Sequence, residues 1–137
     1  MILYSGICSD SELNRTRKVS QYMYDHNVHP RINRYHSRRV SCIYTGDANL
    51  NLINLRQVFK KYWSYVGTVQ IPHHGDVKSF NTNFLSDRFY CCPISVGENN
   101  SYAHPSYQVI ADIMSNGSFP ILVTENLSSG YVEYIRC

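Results

Sequence analysis

An α/β fold, a mixed sheet with flanking helices, is predicted by three features of this chain. A β-rich run over residues 40–45, Val-Ser-Cys-Ile-Tyr-Thr, gives way to a helical pattern over residues 50–65 and then to a second β-rich run at residues 68–71. Strand, helix and strand in that order suggest a βαβ-type unit with a mostly buried sheet. Each strand then runs directly into a short polar segment, Thr45-Gly46-Asp47 after the first and Pro72-His73-His74-Gly75-Asp76 after the second, so function is expected at the strand ends.

The elements follow in order. Ser9 or Ser11 is placed to cap a helix running to about Tyr24, because Leu13, Val19 and Met23 recur at roughly helical intervals. Residues 25–39 hold His26, His29, Pro30 and His36 with little apolar content and read as a solvated loop. Residues 1–39 therefore form a basic helix/loop segment, and residues 40–137 the α/β part. In the helix expected over 50–65, Leu52, Leu55, Val58, Phe59, Tyr62 and Trp63 share one face, and Gly67 breaks it. Asn81 or Thr82 suits the cap of a short helix over 83–87. A third strand is expected over 89–96, where Pro93 argues against a central position with full pairing. His104-Pro105 opens an amphipathic helix that buries Val109, Ile110, Ile113 and Met114 and ends at Asn116-Gly117. Two last strands, 119–124 and 130–135, are joined by a turn-prone stretch and read as a hairpin.

Composition narrows the class. With 137 residues, 43% of them hydrophobic and 17% charged, the chain has enough apolar material for one sizeable core and hardly for two. No run of about 18 apolar residues spans a bilayer, and the first residues lack the basic and apolar regions of a signal peptide, so a cytoplasmic location is expected. Five cysteines, Cys8, Cys42, Cys91, Cys92 and Cys137, show no Cys-x-x-Cys pair and read as free thiols, with Cys91 and Cys92 as small buried hydrophobes. A net charge of +3 is too mild to imply nucleic acid by itself. Seven of the 13 basic residues nevertheless precede residue 40, which suits an anionic partner as well as a plain solvated surface.

The ordered motifs, strand-TGD, helix, strand-PHHG, strand-ISVGENN, Tyr102-x-His104-Pro105-helix and two terminal strands, resemble the C-terminal half of a metallo-β-lactamase-fold domain. The subtype they resemble is the competence type found on the DNA-uptake channel ComEC and its soluble relatives, over roughly residues 40–135. The resemblance implies about half of an αββα sandwich and a metal-dependent hydrolase directed at a phosphodiester or nucleic acid. It implies zinc or manganese as cofactor, with Asp47 and His73 or His74 as metal ligands. Asp47, His74 and His104 would be the catalytic groups, and Ser95, Asn99, Asn100 and Tyr102 would line the substrate pocket. Asp76 stands where this subtype has serine, adding an anionic group as an extra ligand, a partner to a ligand, or a group that repels phosphate.

Taken singly, each motif has a plainer conformational reading. Asp after Gly favours turns, a His-His-Gly loop can hold its imidazoles by hydrogen bonds alone, and His-Pro often starts a helix. The family's His-x-His-x-Asp-His motif has no counterpart before Thr45, and Asp47 with one or two histidines falls short of the three protein ligands of a catalytic zinc. A fragment of a longer hydrolase, a subunit completed by another chain, and a degenerate domain kept for binding all fit that shortfall. In the last case the chain would be a non-catalytic interaction or oligomerisation module, its open sheet covered by a partner or a second copy, and its 12 tyrosines would suit such an interface.

Overall fold

The computed structural model describes residues 1–6, 16–21, 39–100 and 103–136. Its centre is a mixed five-stranded sheet in the order β1-β3-β4-β5-β6. The strands are β1 (Leu3–Ser5), β3 (Ser41–Tyr44), β4 (Val66–Val69), β5 (Cys91–Ser95) and β6 (Phe119–Val123). Strands β3 to β6 run parallel, and β1 joins antiparallel to β3. Parallel neighbours need crossovers, and these bring both helices, α1 (Leu55–Val58) and α2 (Tyr107–Ser115), into the connections. The α/β class is thus observed, and every parallel strand delivers its carboxyl end to the same edge.

The strand alternation sorts the side chains onto two faces. Ile43, Val69, Cys92 and Ile94 fall on one face and join a buried cluster with Leu55, Trp63, Tyr90, Val109 and Ile113. Burying an aliphatic or aromatic side chain of this size stabilises the fold by about 1.5–3 kcal/mol each, which is why this face carries the helices. Cys42, Thr68 and Cys91 stand side by side on the opposite face. Cys42, Cys91 and Cys92 are free thiols, Cys91 and Cys92 are buried, and burial pushes the Cys92 thiol well up from its ordinary value. Cys8 and Cys137 lie outside the described residues.

Several expected elements differ. The helix over 50–65 shrinks to the four residues of α1 followed by turns, and Leu52 and Val58, expected on its buried face, are 84% and 61% exposed. Asparagine side chains explain the late start. Asn54 caps α1 by accepting from the Gln57 N–H at 3.2 Å, Asn49 Oδ1 accepts from the Asn51 N–H at 3.0 Å, and Asn51 donates to the Lys78 carbonyl at 2.8 Å. Gly67 lies inside β4 and breaks nothing. The helix over 83–87 is a run of turns begun by Asn81, whose side-chain Oδ1 accepts from the Asn83 N–H. Helix α2 forms as expected, with Val109 and Ile113 buried, but Met114 is 61% exposed. It ends in a pair of hydrogen bonds, the Gly117 N–H donating to the Met114 carbonyl and the Ser118 N–H to the Ile113 carbonyl.

The N-terminal helix is overturned where the structure describes it, because residues 16–21 form a strand, β2 (Thr16–Gln21). It pairs antiparallel with β7 (Tyr131–Arg136) over six positions in a second, two-stranded sheet. The terminal hairpin is overturned for the same reason: β6 pairs with β5 and β7 with β2. Between them Ser129 Oγ accepts from the Thr124 N–H at 2.8 Å, and a 3₁₀ turn at Leu127–Ser129 turns the chain out of the first sheet. The loop expected over 25–39 lies outside the described residues up to position 38. Tyr131 meets Thr68 hydroxyl to hydroxyl at 3.3 Å, so β7 begins against the face opposite the helices.

The amino ends of the strands are tied by a charged and aromatic cluster. Arg56 reaches Asp87 at 2.5 Å, the fully buried Tyr90 donates its hydroxyl to Asp87 at 2.8 Å, and Arg56 lies over the Trp63 ring. Burial alone would raise the Asp87 pKa, but hydrogen bonds from Arg56 and Tyr90 and the nearby Arg88 hold it below its ordinary value. Burial, followed by the hydrogen bond to Asp87 and its charge, pushes the Tyr90 hydroxyl well up.

Candidate functional site

Four loops meet at the carboxyl edge of the sheet, where α/β proteins bind their ligands. After β3, Thr45 is fully buried and donates its hydroxyl to the Gln70 carbonyl at 2.7 Å, while the Thr45 and Gly46 N–H groups both donate to Gln70 Oε1 at 3.2 and 3.3 Å. The loop so anchored holds Asp47 outward with its side chain 85% exposed.

After β4, Pro72 leads into a tight turn in which His73 (φ 45°) and His74 (φ 55°) both adopt the left-handed conformation. That conformation costs an L-residue about 1–2 kcal/mol, and the neighbouring contacts hold it in place. The His73 N–H donates to the Gly46 carbonyl at 3.2 Å. Its Nε2 lies 2.8 Å from the Asp47 carbonyl oxygen, which can only accept, so Nε2 carries the proton, and Nδ1 lies 3.9 Å from Asp47 Oδ1. His74 Nδ1 donates to the Ser95 carbonyl at 2.7 Å on the same argument. In a neutral imidazole that leaves the lone pair on Nε2, the arrangement found where a backbone carbonyl orients a metal-binding histidine. The sequence left His73 and His74 equivalent, and the hydrogen bonds define which nitrogen each ring keeps for a ligand, Nδ1 of His73 and Nε2 of His74.

The remaining residues arrive through Gly75, whose carbonyl accepts from the Ser106 N–H at 3.0 Å and which packs against Pro105. This brings the His104-Pro105 segment beside the histidine turn. His104 is half-buried, and Asn100 donates its side-chain amide to the His104 carbonyl at 2.6 Å. Ser95 and Asn99 are exposed on the same side, and Tyr102 lies outside the described residues. Asp76 is occupied differently from any role expected of it: its carboxylate caps the next turn, accepting from the Lys78 N–H at 3.2 Å and the Ser79 hydroxyl at 3.4 Å.

Sequence reasoning missed two members of this edge. Gln70 is the anchor of the Asp47 loop, and its signal was a single side-chain amide in the β-rich run over 68–71, one residue past the end of β4. Glu125 braces the loop after β5 by accepting from the Glu98 N–H at 3.0 Å, and backbone N–H groups of Glu125 itself and Glu98 hold its carboxyl below the ordinary value.

The donor set bears directly on a metal. Asp47 offers a carboxylate, and His73 and His74 each keep one ring nitrogen while the other is held by a backbone carbonyl. Among the described residues no group of three His, Cys, Asp or Glu side chains comes together to hold a metal ion. These residues alone therefore do not fit the three-ligand requirement of a catalytic zinc. No helix of the described residues is long and apolar enough to cross a membrane. Compared with family models, curated proteins and solved structures, the chain matches none of them.

Proposed function

We propose that this edge is the pocket of a metallo-β-lactamase-like hydrolase domain of the competence type, directed at a phosphodiester or a related anionic ester. The observation that carries the reading is the pair of consecutive left-handed histidines, each with one ring nitrogen tied to a backbone carbonyl of a neighbouring loop. Strain of that kind, held beside an exposed carboxylate, favours a binding or catalytic role over a plain turn. In this reading Asp47 with His73 or His74 would help to hold a divalent cation, zinc or manganese, which when bound would polarise the ester and activate water. His73 positions the Asp47 loop, and Ser95, Asn100 and His104 line the approach. The described residues supply only part of such a centre, so no hydrolytic step is assigned to them alone.

Calorimetric titration with zinc or manganese, alongside hydrolysis of bis(p-nitrophenyl) phosphate, tests the reading. Measurable metal binding that falls at least about tenfold in both Asp47→Asn and His74→Gln is the expected result. A folded wild-type chain that binds no metal and turns over no ester would overturn it. That no three-ligand group comes together among the described residues favours a second reading, a non-catalytic module that covers its open sheet with a partner or a second copy. Sedimentation showing a folded monomer across a wide concentration range would count against that alternative.

A further inference from the structure

The sheet face opposite the helices carries a cavity of about 430 Å³, within the range of roughly 300–1,000 Å³ usual for small-ligand sites. It runs across the strands from Cys42 and Tyr44 on the β3 side, past Thr68 and Gln70, to Ser95 and to Tyr131 at the start of β7. Among the described residues its lining is uncharged. A charged group placed there would lose its hydration with no opposite charge among the described lining residues to offset the loss, so these residues favour a neutral occupant.

Two polar groups give the cavity direction. Gln70 has its amide orientation fixed, because two backbone N–H donors require the oxygen to face Thr45 and Gly46. Its Nε2 therefore points the other way, and among the described residues that nitrogen has no acceptor. Ser95 lines the same cavity, and its hydroxyl likewise has no partner among the described residues, while its carbonyl holds His74. Gln70 and Ser95 thus belong both to the cavity and to the loops that carry Asp47 and His74.

We infer that this cavity binds the uncharged, flat and mainly apolar part of a small organic ligand, with a carbonyl-type acceptor directed at Gln70 Nε2 and Ser95 Oγ. Such a ligand lies along the sheet face and presents its other end to the carboxyl edge. The inference deepens the proposed hydrolase reading and rests on it only for what lies at that far end. Binding in the cavity needs neither metal nor turnover.

Coumarin and naphthalene are suitable probes, two flat bicycles of similar size of which only coumarin carries a carbonyl. Backbone and side-chain amide shifts of the full chain are followed by NMR as each probe is added, with no metal present. The expected result is saturable binding of coumarin in about the millimolar range, as for a fragment of this size, with shifts at Cys42, Thr68, Ser95 and the Gln70 side-chain amide. Gln70→Glu keeps an oxygen for Thr45 and Gly46 but removes the Nε2 donor, and should narrow the preference for coumarin over naphthalene by about tenfold, one hydrogen bond's worth. Cys42→Trp, which fills the cavity, should abolish binding of both. Absence of saturable shifts, shifts centred elsewhere, or binding that survives in a folded Cys42→Trp variant would overturn the inference. Coumarin binding without metal binding or ester hydrolysis would leave the inference standing and remove the hydrolase reading.

Discussion

Gly75→Ala is the substitution that most directly tests whether the histidine turn is locked against the His104-Pro105 segment. Gly75 sits at φ +81°, and a Cβ built there would lie 2.6 Å from Pro105 Cβ, 3.2 Å from Pro105 Cα and 3.3 Å from Ile94 Cγ2. None of these atoms yields easily, since one is backbone, one belongs to a proline ring and Ile94 is fully buried. Two terms therefore add: about 1 kcal/mol for a side chain in the left-handed region, and about 1–3 kcal/mol for overpacking. Gly117→Ala is the control. Gly117 has a similar φ of +73° with no atom within 4 Å of the added Cβ, so it should cost only the backbone term. Urea denaturation of both variants followed by circular dichroism should give a loss of about 2–4 kcal/mol for Gly75→Ala and about 1 kcal/mol for Gly117→Ala. Equal losses would show that Pro105 does not press on the turn, and the convergence on which the proposed pocket depends would be refuted.

Other outcomes follow from the same geometry. His74→Gly relieves the left-handed strain but loses the ring's bond to Ser95, so stability should change by no more than about 1 kcal/mol. Metal binding should nevertheless fall, and a large stability loss on denaturation would contradict that balance. Tyr90→Phe removes a donor to a carboxylate and should cost about 1.5–3 kcal/mol at neutral pH. The raised Tyr90 pKa lends stability that is complete below about pH 10 and lost as pH rises beyond it, so the variant should show a flatter alkaline limb in thermal unfolding. The lowered Asp87 pKa works at the other end: its contribution is complete above the ordinary carboxylate value of about 3.9 and lost as pH falls through the folded value, so Asp87→Asn should flatten the acid limb. Alkylation with iodoacetamide followed by peptide mapping should label the half-buried Cys42 in the native state and reach Cys92 only on unfolding.

The parallel unit was legible because its strands are short apolar runs ending in Gly, Asp or Pro, signals that act locally. The helix over 50–65 was misread because its apolar spacing is real, but Asn49, Asn51 and Asn54 offer the backbone competing bonds that periodicity does not register. Strand β2 was missed because its partner, β7, lies at the other end of the chain, Thr16 opposite Arg136, and no local pattern reports a pairing that remote. At the site, the meeting of the Asp47, His73–Gly75 and Pro105 segments was legible from motif order. Which nitrogen each histidine keeps for a ligand was not, since that depends on hydrogen bonds to Asp47 and Ser95 made only in three dimensions. Gln70 escaped notice because its work is done by a side-chain oxygen on another loop's backbone.

Pro93 sits in an interior strand despite having no N–H, and the sheet tolerates it by loosening one boundary. Its carbonyl faces β4 and accepts from the Ile71 N–H at 2.9 Å, yet β4 and β5 pair in register only at Thr68 and Cys91, whereas β5 and β6 pair at five positions. Mechanically the sheet is two blocks with a seam between them. The Ile71 amide should exchange with deuterium faster than the amides shared by β5 and β6, and equal protection would argue against a seam. Asp47 and His73 ride on one block, Ser95 on the other. The width of the proposed pocket is therefore set across a soft boundary by a few stitches between two plates: the His74 imidazole on Ser95, the Gly75 carbonyl on Ser106 and the Pro93 carbonyl on Ile71.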